Sequence, residues 1–216
     1  LGDVYKRQNY YGVTALMARV YLCQENLTDA LACAQEVIDS KRFEFMNDSI
    51  NNVYAYRNLS YIEKMARHEY VSSLYVYDLK EGRSDLFFKN LASCECVIAE
   101  GRKASIYSGM GQDLDIRSKN WFETPAGSAT EYVNKYMRGT QIPLLKLSEM
   151  YLIAAEGWME DDPGHAAELL QTFKQARTQK EVVSQEVTED VIMREIRKEF
   201  IGEGVIFLTY KRLHHD

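Results

Sequence analysis

Alanines set twelve residues apart occur twice in this chain, each time with an aromatic residue three positions after the first: Ala18 and Ala30 with Tyr21, then Ala155 and Ala167 with Trp158. Small residues at a crossing and an aromatic one turn along are what two helices need in order to approach closely in a hairpin. The surrounding periodicity agrees. From Asn9 to Gln24, Val13, Leu16, Met17, Val20 and Tyr21 recur at steps of three and four, with Ala15 and Ala18 beside them, which predicts a helix that buries the larger side chains. After a turn at 25–27, Thr28 with Asp29 is positioned to cap a second helix carrying Leu31, Ala34, Val37 and Ile38. So short a connection leaves room only for an antiparallel hairpin. A second hairpin is predicted from a helix over 147–159, a break at Asp161-Asp-Pro-Gly164 and a return helix over 165–177. Only three prolines interrupt 216 residues, which favours a helix-rich fold.

The two hairpins resemble tetratricopeptide units, although more than a hundred residues separate them. The segment between is different in kind, with nine of the fifteen tyrosines, Trp121 and several Gly, Ser and Asn clusters. Tyr70–Tyr77 and Glu131–Tyr136 read as extended, being β-branched and aromatic with partial alternation. The expected organisation is therefore a leader at 1–8, a helical hairpin at 9–45, an irregular insertion at 46–142 and a helical region at 143–216. Leu1–Gln8 has the look of a translated adaptor and is set aside as non-native. Loops held on a rigid scaffold are where binding residues concentrate, which directs attention to the insertion.

Charge and motif spacing exclude several classes. A net charge of -6, with basic residues scattered among acidic ones, gives no footprint for nucleic acid. The longest apolar runs, 151–155 and 205–208, fall far short of a membrane helix. Cys23, Cys33, Cys94 and Cys96 are too few and too irregular for a disulfide framework, so buried free thiols are expected, with Cys23 and Cys33 near one another across the hairpin. No H-E-x-x-H or G-x-S-x-G occurs, and Asp113-Leu-Asp115 lacks the glycine and distal glutamate of a calcium loop. No metal or cofactor is expected.

The carboxylates were the remaining route to chemistry. In EFIGEGVIFLTYKRL, Glu199–Leu213, the glycines follow a helix over 188–201 instead of a strand, so Gly202-Glu-Gly204 reads as a left-handed helix stop and not as a phosphate cradle. Glu199 and Glu203, four apart, are expected as solvated or paired surface charge. Glu149 and Glu156 share a helical face about 10.5 Å apart along the axis. Projecting in parallel, they cannot flank a glycosidic bond, so ion pairing is the expectation and no catalytic residues are assigned.

Taken in order, PLLKLSEMYLIAAEGW at Pro143–Trp158, AAELLQTFKQART at Ala166–Thr178 and VTEDVIMREIRKEFIGEGVIFLTYKRL at Val187–Leu213 resemble the C-terminal half of the SusD/RagB family. ALMARVYLCQENLTDALACAQEVI at Ala15–Ile38 resembles that family's preceding hairpin. Glu149, Leu152, Ala155 and Glu156 match its E-x-x-L-x-x-A-E helix. Glu199, Glu203, Gly204, Phe207, Lys211 and Arg212 match its terminal motif. Lys146 departs from the usual Arg and Gln171 from the usual Asn. The resemblance implies a mainly α, tetratricopeptide-like superhelix with a partly β, aromatic-rich insertion. It implies a non-catalytic surface lipoprotein of the outer membrane in Bacteroidetes-type bacteria, binding nutrients, most often glycans, for a SusC-like TonB-dependent transporter. Signal peptide, lipid anchor and an N-terminal helical portion would precede Asn9. Sugars stack on aromatic faces, so Trp121 with Phe122, then Tyr132, Tyr136 and Tyr107, are the expected ligand contacts. The repeats alone also suit a scaffold for a peptide or protein partner, and a glycan hydrolase is a more distant alternative.

Overall fold

The computed structural model describes residues 9–45, 67–75, 97–99, 101–108, 114–124, 131–133, 135, 141–178 and 181–213. Helix α1 (Tyr10–Cys23) begins at Asn9, whose Oδ1 accepts from the Gly12 amide at 2.6 Å while its Nδ2 donates to the Val71 carbonyl at 3.0 Å. Helix α2 (Leu27–Asp39) is capped by Asn26 instead of Thr28. The Asn26 side chain accepts from the Asp29 amide at 3.2 Å and donates to the Asp29 carboxylate at 2.7 Å. Thr28 sits within the first turn, where its backbone is already helical and it cannot act as the cap.

The hairpin forms as expected, but α1 faces the other way. Thr14, Ala15 and Ala18 are buried, whereas Val13, Leu16, Met17 and Val20 are 58%, 49%, 41% and 46% exposed. The reason lies in the partner helix. Ala30 and Ala34 of α2 are fully buried; alanine against alanine lets the two axes approach closely, and that contact turns the bulkier stripe of α1 outward.

Helix α5 (Leu147–Gly157) is the middle of the array, packing on α2 on one side and on α6 (Pro163–Gln175) on the other. Nearly its whole circumference is buried, from Leu147 through Glu156 with Tyr151 half-buried. Asp162 caps α6, accepting from the His165 amide at 3.0 Å, and Pro163 occupies the first turn, where no amide hydrogen is needed. At this crossing the fully buried small residues are Ala155 and Ala166; Ala167 is only partly covered. The α2–α5 contact is closer still. A Cβ on Gly157 would lie 2.8 Å from the Leu31 Cβ, next to the backbone, so the neighbour cannot yield without moving α2. Gly157→Ala should therefore cost about 1–2 kcal/mol, the overpacking penalty exceeding the helix-propensity gain of about 1 kcal/mol. Thermal unfolding should shift down by roughly 2–8 °C; an unchanged or raised midpoint would contradict the close approach.

Between the hairpins lie β1 (Tyr70–Tyr75), β2 (Val97–Ile98), α3 (Arg102–Ile106), α4 (Ile116–Asn120), β3 (Phe122–Glu123) and β4 (Glu131–Val133). The extended readings are met at 70–75 and 131–133, whereas Lys135 lies in a bend. Strand β5 (Gln141–Lys146), which the sequence reading did not anticipate, pairs antiparallel with β1, from Tyr75 opposite Gln141 to Tyr70 opposite Lys146. It leads directly into α5. The other three strands form a small antiparallel sheet in the order β2-β4-β3.

Helix α7 (Glu189–Glu199) is capped by Thr188 and stops at Gly202, whose φ of +77° is the left-handed conformation expected there. The following apolar run is a short helix, α8 (Val205–Arg212), which Gly204 enters at φ -68°. The architecture is thus mainly α, four helices of two hairpins packed in series with an irregular, partly β segment on them. Cys33 is half-buried and Cys23 is exposed, both as free thiols, so the expectation of buried cysteines fails at Cys23; Cys94 and Cys96 lie outside the described residues. Among the described residues no helix is long and apolar enough to cross a membrane.

Candidate functional site

Where the insertion meets the helices, ten charged side chains lie together below the surface. Arg117 at the start of α4 pairs with Asp115 at 2.7 Å, Glu195 at 2.9 Å and Glu199 at 3.2 Å. Arg177, just past α6, holds Glu199 at 3.0 Å and grips Glu69 through both terminal nitrogens. Lys146 reaches Glu199 at 3.4 Å and Glu203 at 3.1 Å, Lys135 reaches Glu203 at 2.9 Å, and Lys198 reaches Glu195 at 2.9 Å. Five cations thus meet five carboxylates. Burial raises the Glu199 carboxyl, but Arg177, Lys146 and Arg117 outweigh it and hold it well below the usual carboxylate range. Glu195 is likewise lowered, burial being overcome by Arg117 and Lys198. Glu199, 1% exposed, is therefore no surface charge; it is the hub of the network. The i,i+4 spacing of Glu199 and Glu203 lets Lys146 bridge both. A lysine here supplies two single contacts in place of an arginine's paired ones.

This network assembles the chain. Asp115 Oδ1 accepts from the Arg117 amide at 2.9 Å as the cap of α4, and the Ile116 amide donates to the Arg177 carbonyl at 3.0 Å. Local capping and long-range pairing thus use the same carboxylate. Asp115 belonged to the rejected calcium motif; its ligand is a guanidinium, and no cluster suited to a metal occurs among the described residues.

The expected ligand aromatics line the same region from within. Trp121 is 9%, Phe122 8%, Tyr132 5% and Tyr107 1% exposed; Tyr136 lies outside the described residues. Tyr107 and Phe122 pack edge to face at 5.7 Å, with Trp121 in the same cluster. The Lys135 ammonium sits 3.9 Å from the centre of the Trp121 ring, and Lys103 4.9 Å from that of Phe122. Tyr107 donates its hydroxyl hydrogen to the Lys198 carbonyl at 2.8 Å, and burial raises its phenol well above the usual value. These rings are core in this conformation. Their faces are taken by cations and by one another.

The remaining motif residues hold helices together. Arg19 of α1 clasps Glu149 through two hydrogen bonds of 2.6 Å, and Arg212 of α8 clasps Glu156 at 2.7 and 2.9 Å. Burial raises the Glu156 carboxyl despite Arg212. Ion pairing of both glutamates is as expected. Gly204 opens α8, while Phe207, 71% exposed, and Lys211 face outward. On the surface, α3, α7 and α8 enclose a cleft of about 430 Å³, floored by Ile106, Ile201 and Ile206 and edged by Tyr210, Ser105, Ser108, Arg102, Arg194 and Arg197. Ile106 and Ile201 also pack on the Tyr107–Trp121–Phe122 cluster, so they stand between the cleft and the buried rings. The sequence reading missed this cleft because its residues come from three separated segments.

No family model matches the sequence, and no curated protein does so significantly. Solved structures do match the fold. A SusD superfamily protein from Bacteroides thetaiotaomicron aligns over 95% of this chain at 23% identity with a TM-score of 0.71. A SusD superfamily protein from Bacteroides vulgatus aligns over 96% at 23% identity with a TM-score of 0.73. The fold is that of the SusD superfamily. A laminarin-binding SusD-like protein also shares it, over 99% of this chain at 15% identity with a TM-score of 0.70. The chain spans about half the length of these proteins, covering 50%, 50% and 56% of them. Within this SusD-like fold, the buried charges fasten the insertion to the helical array.

Proposed function

We propose that this chain is the binding part of a SusD-like protein that captures glycans at the outer-membrane surface and passes them, uncleaved, to a SusC-like TonB-dependent transporter. The observation that carries the reading is the fold shared with a laminarin-binding SusD-like protein over 99% of this chain. Site chemistry supports it. Glu149, Glu156 and Glu199 are each committed to arginine pairs, which suits a scaffold, whereas a general acid must reach its substrate. The cleft beside α7 offers what a sugar needs: hydroxyl groups of Ser105, Ser108 and Tyr210 around an apolar isoleucine floor.

The test is affinity electrophoresis and titration calorimetry of the chain against laminarin, xyloglucan, starch, pectin and sulfated polysaccharides, with reducing-end assays alongside. Retention by at least one of them, with no new reducing ends, is expected. Retention by none would overturn glycan binding, and new reducing ends would overturn the non-catalytic reading. The transporter arm is read separately, by whether the tagged native protein captures a β-barrel protein from an outer-membrane fraction.

A further inference from the structure

Two sets of arginines stand out among the described residues. Arg19, Arg117, Arg177 and Arg212 each clasp carboxylates. Arg102, Arg194 and Arg197, which line one cleft, form no ion pair with any described residue. Among the described residues, none that lines that cleft is acidic. Arg194 and Arg197 stand three apart on α7, and Arg102 faces them from α3, so three positive charges share one concavity in a protein whose net charge is -6. Like charges gathered at one site repel unless something negative joins them.

Little of their hydrogen-bonding capacity is spent on the described residues. The Arg197 Nε is buried without an acceptor, and a buried unpaired donor is costly enough to require an explanation. Its guanidinium carbon lies 5.2 Å from the centre of the Tyr210 ring, which fixes the group in place. Arg194 spends only its Nε, on the Asp190 carbonyl one turn back at 3.3 Å. Guanidinium forks match carboxylate and sulfate oxygens in geometry. The cleft is not solely an anion trap, since its floor is apolar and its volume of about 430 Å³ lies within the range of small-ligand sites.

We infer that this cleft binds an acidic saccharide, a sugar unit carrying a carboxylate or sulfate, with Arg102, Arg194 and Arg197 on the acidic group and the isoleucine floor under the ring. The inference rests on the proposed glycan-binding function and narrows its ligand class. It also gives Arg102, the first residue of α3, a role in binding.

The test is calorimetry with four probes: an oligogalacturonate, a sulfated oligosaccharide, a neutral laminari-oligosaccharide of matched length, and inorganic sulfate. Each is titrated into the chain and into its Arg102→Ala/Arg194→Ala variant. Both arginines are exposed, so the fold should survive, which circular dichroism and thermal unfolding check. At least one acidic saccharide should bind about tenfold or more tightly than the neutral one, weaken as salt rises, and lose about tenfold or more per guanidinium removed. The two acidic probes separate carboxylate from sulfate. Equal binding of neutral and acidic sugars, or acidic binding untouched by the double variant, would overturn this inference and leave the glycan reading standing. Sulfate binding as tightly as any saccharide would reduce the cleft to a simple anion site and overturn it too. If no saccharide binds here or in the polysaccharide panel, both readings fall.

Discussion

Arg177→Met should lower the stability of the folded chain by about 3–5 kcal/mol, the range for breaking a buried ion pair from one side. Methionine roughly preserves the volume, so the loss is one of charge and hydrogen bonding. Arg177 holds Glu69 through two terminal nitrogens and Glu199 through two further hydrogen bonds. Glu199 would keep Arg117 and Lys146, but Glu69, 1% exposed, would lose the arginine that neutralises it. An uncompensated buried carboxylate either takes up a proton or drags its segment open, and Glu69 leads directly into β1. The effect should therefore concentrate in the β1–β5 pair and the insertion. Adding Glu69→Gln should recover part of the loss, because a neutral amide removes the stranded charge. Urea unfolding of the single and double variants checks both points. A loss under 1 kcal/mol for Arg177→Met, or no recovery in the double variant, would show that the pair contributes little.

That network is also where the sequence was least legible. Helix positions followed from period and breakers, since those signals are local: helices do begin after Asn9, at the Asp161-Asp-Pro-Gly164 break and after Thr188, and Gly202 does stop one, although the cap of α2 is Asn26 and not Thr28. Which face of α1 turns inward was not local. It depended on Ala30 and Ala34 in another helix, so a correct periodicity led to the wrong side. Strand β5 escaped notice because its partner β1 lies some seventy residues earlier. The charges were misjudged for a similar reason. Glu199 and Glu203 looked like solvated or paired surface charge because nothing nearby in sequence announces that Arg117, Lys135, Lys146 and Arg177 converge on them below the surface. A hint existed in Asp115-Ile-Arg117, a cap and a pair in three residues, and in the inward spacing of Glu195 and Glu199 on α7. The aromatics present the converse case. A ring rich enough in contacts to stand out in the sequence also finds partners in the core, as Trp121 and Tyr107 do.

Lys135 sits in the same network with the opposite electrostatic sense. Burial pulls its ammonium down from 10.5 to about 8, and Glu203 and Glu199 only partly restore it. Below pH 8 both folded and unfolded chains hold the proton, and the folded state carries the full cost of the buried charge. Between pH 8 and 10.5 the folded chain has released the proton while the unfolded chain retains it, so the unfolded state binds more protons and stability rises with pH. From pH 8 to pH 10 the gain attributable to Lys135 should be about 2–3 kcal/mol. Above pH 10, Tyr107 opposes it, since its phenol stays neutral in the folded chain and ionises in the unfolded one. Lys135→Met removes the rising limb, whereas contributions from Lys174 and the tyrosines are common to both proteins and cancel in the difference. Urea unfolding at steps between pH 7.5 and 10 should show the wild type gaining on the variant, and parallel profiles would rule out a neutralising lysine. A second readout is independent of unfolding. The Lys135 ammonium lies 3.9 Å from the Trp121 ring centre, and in a Trp158→Phe background Trp121 is the one tryptophan left of two, so its fluorescence should titrate near pH 8 and lose that step in Lys135→Met.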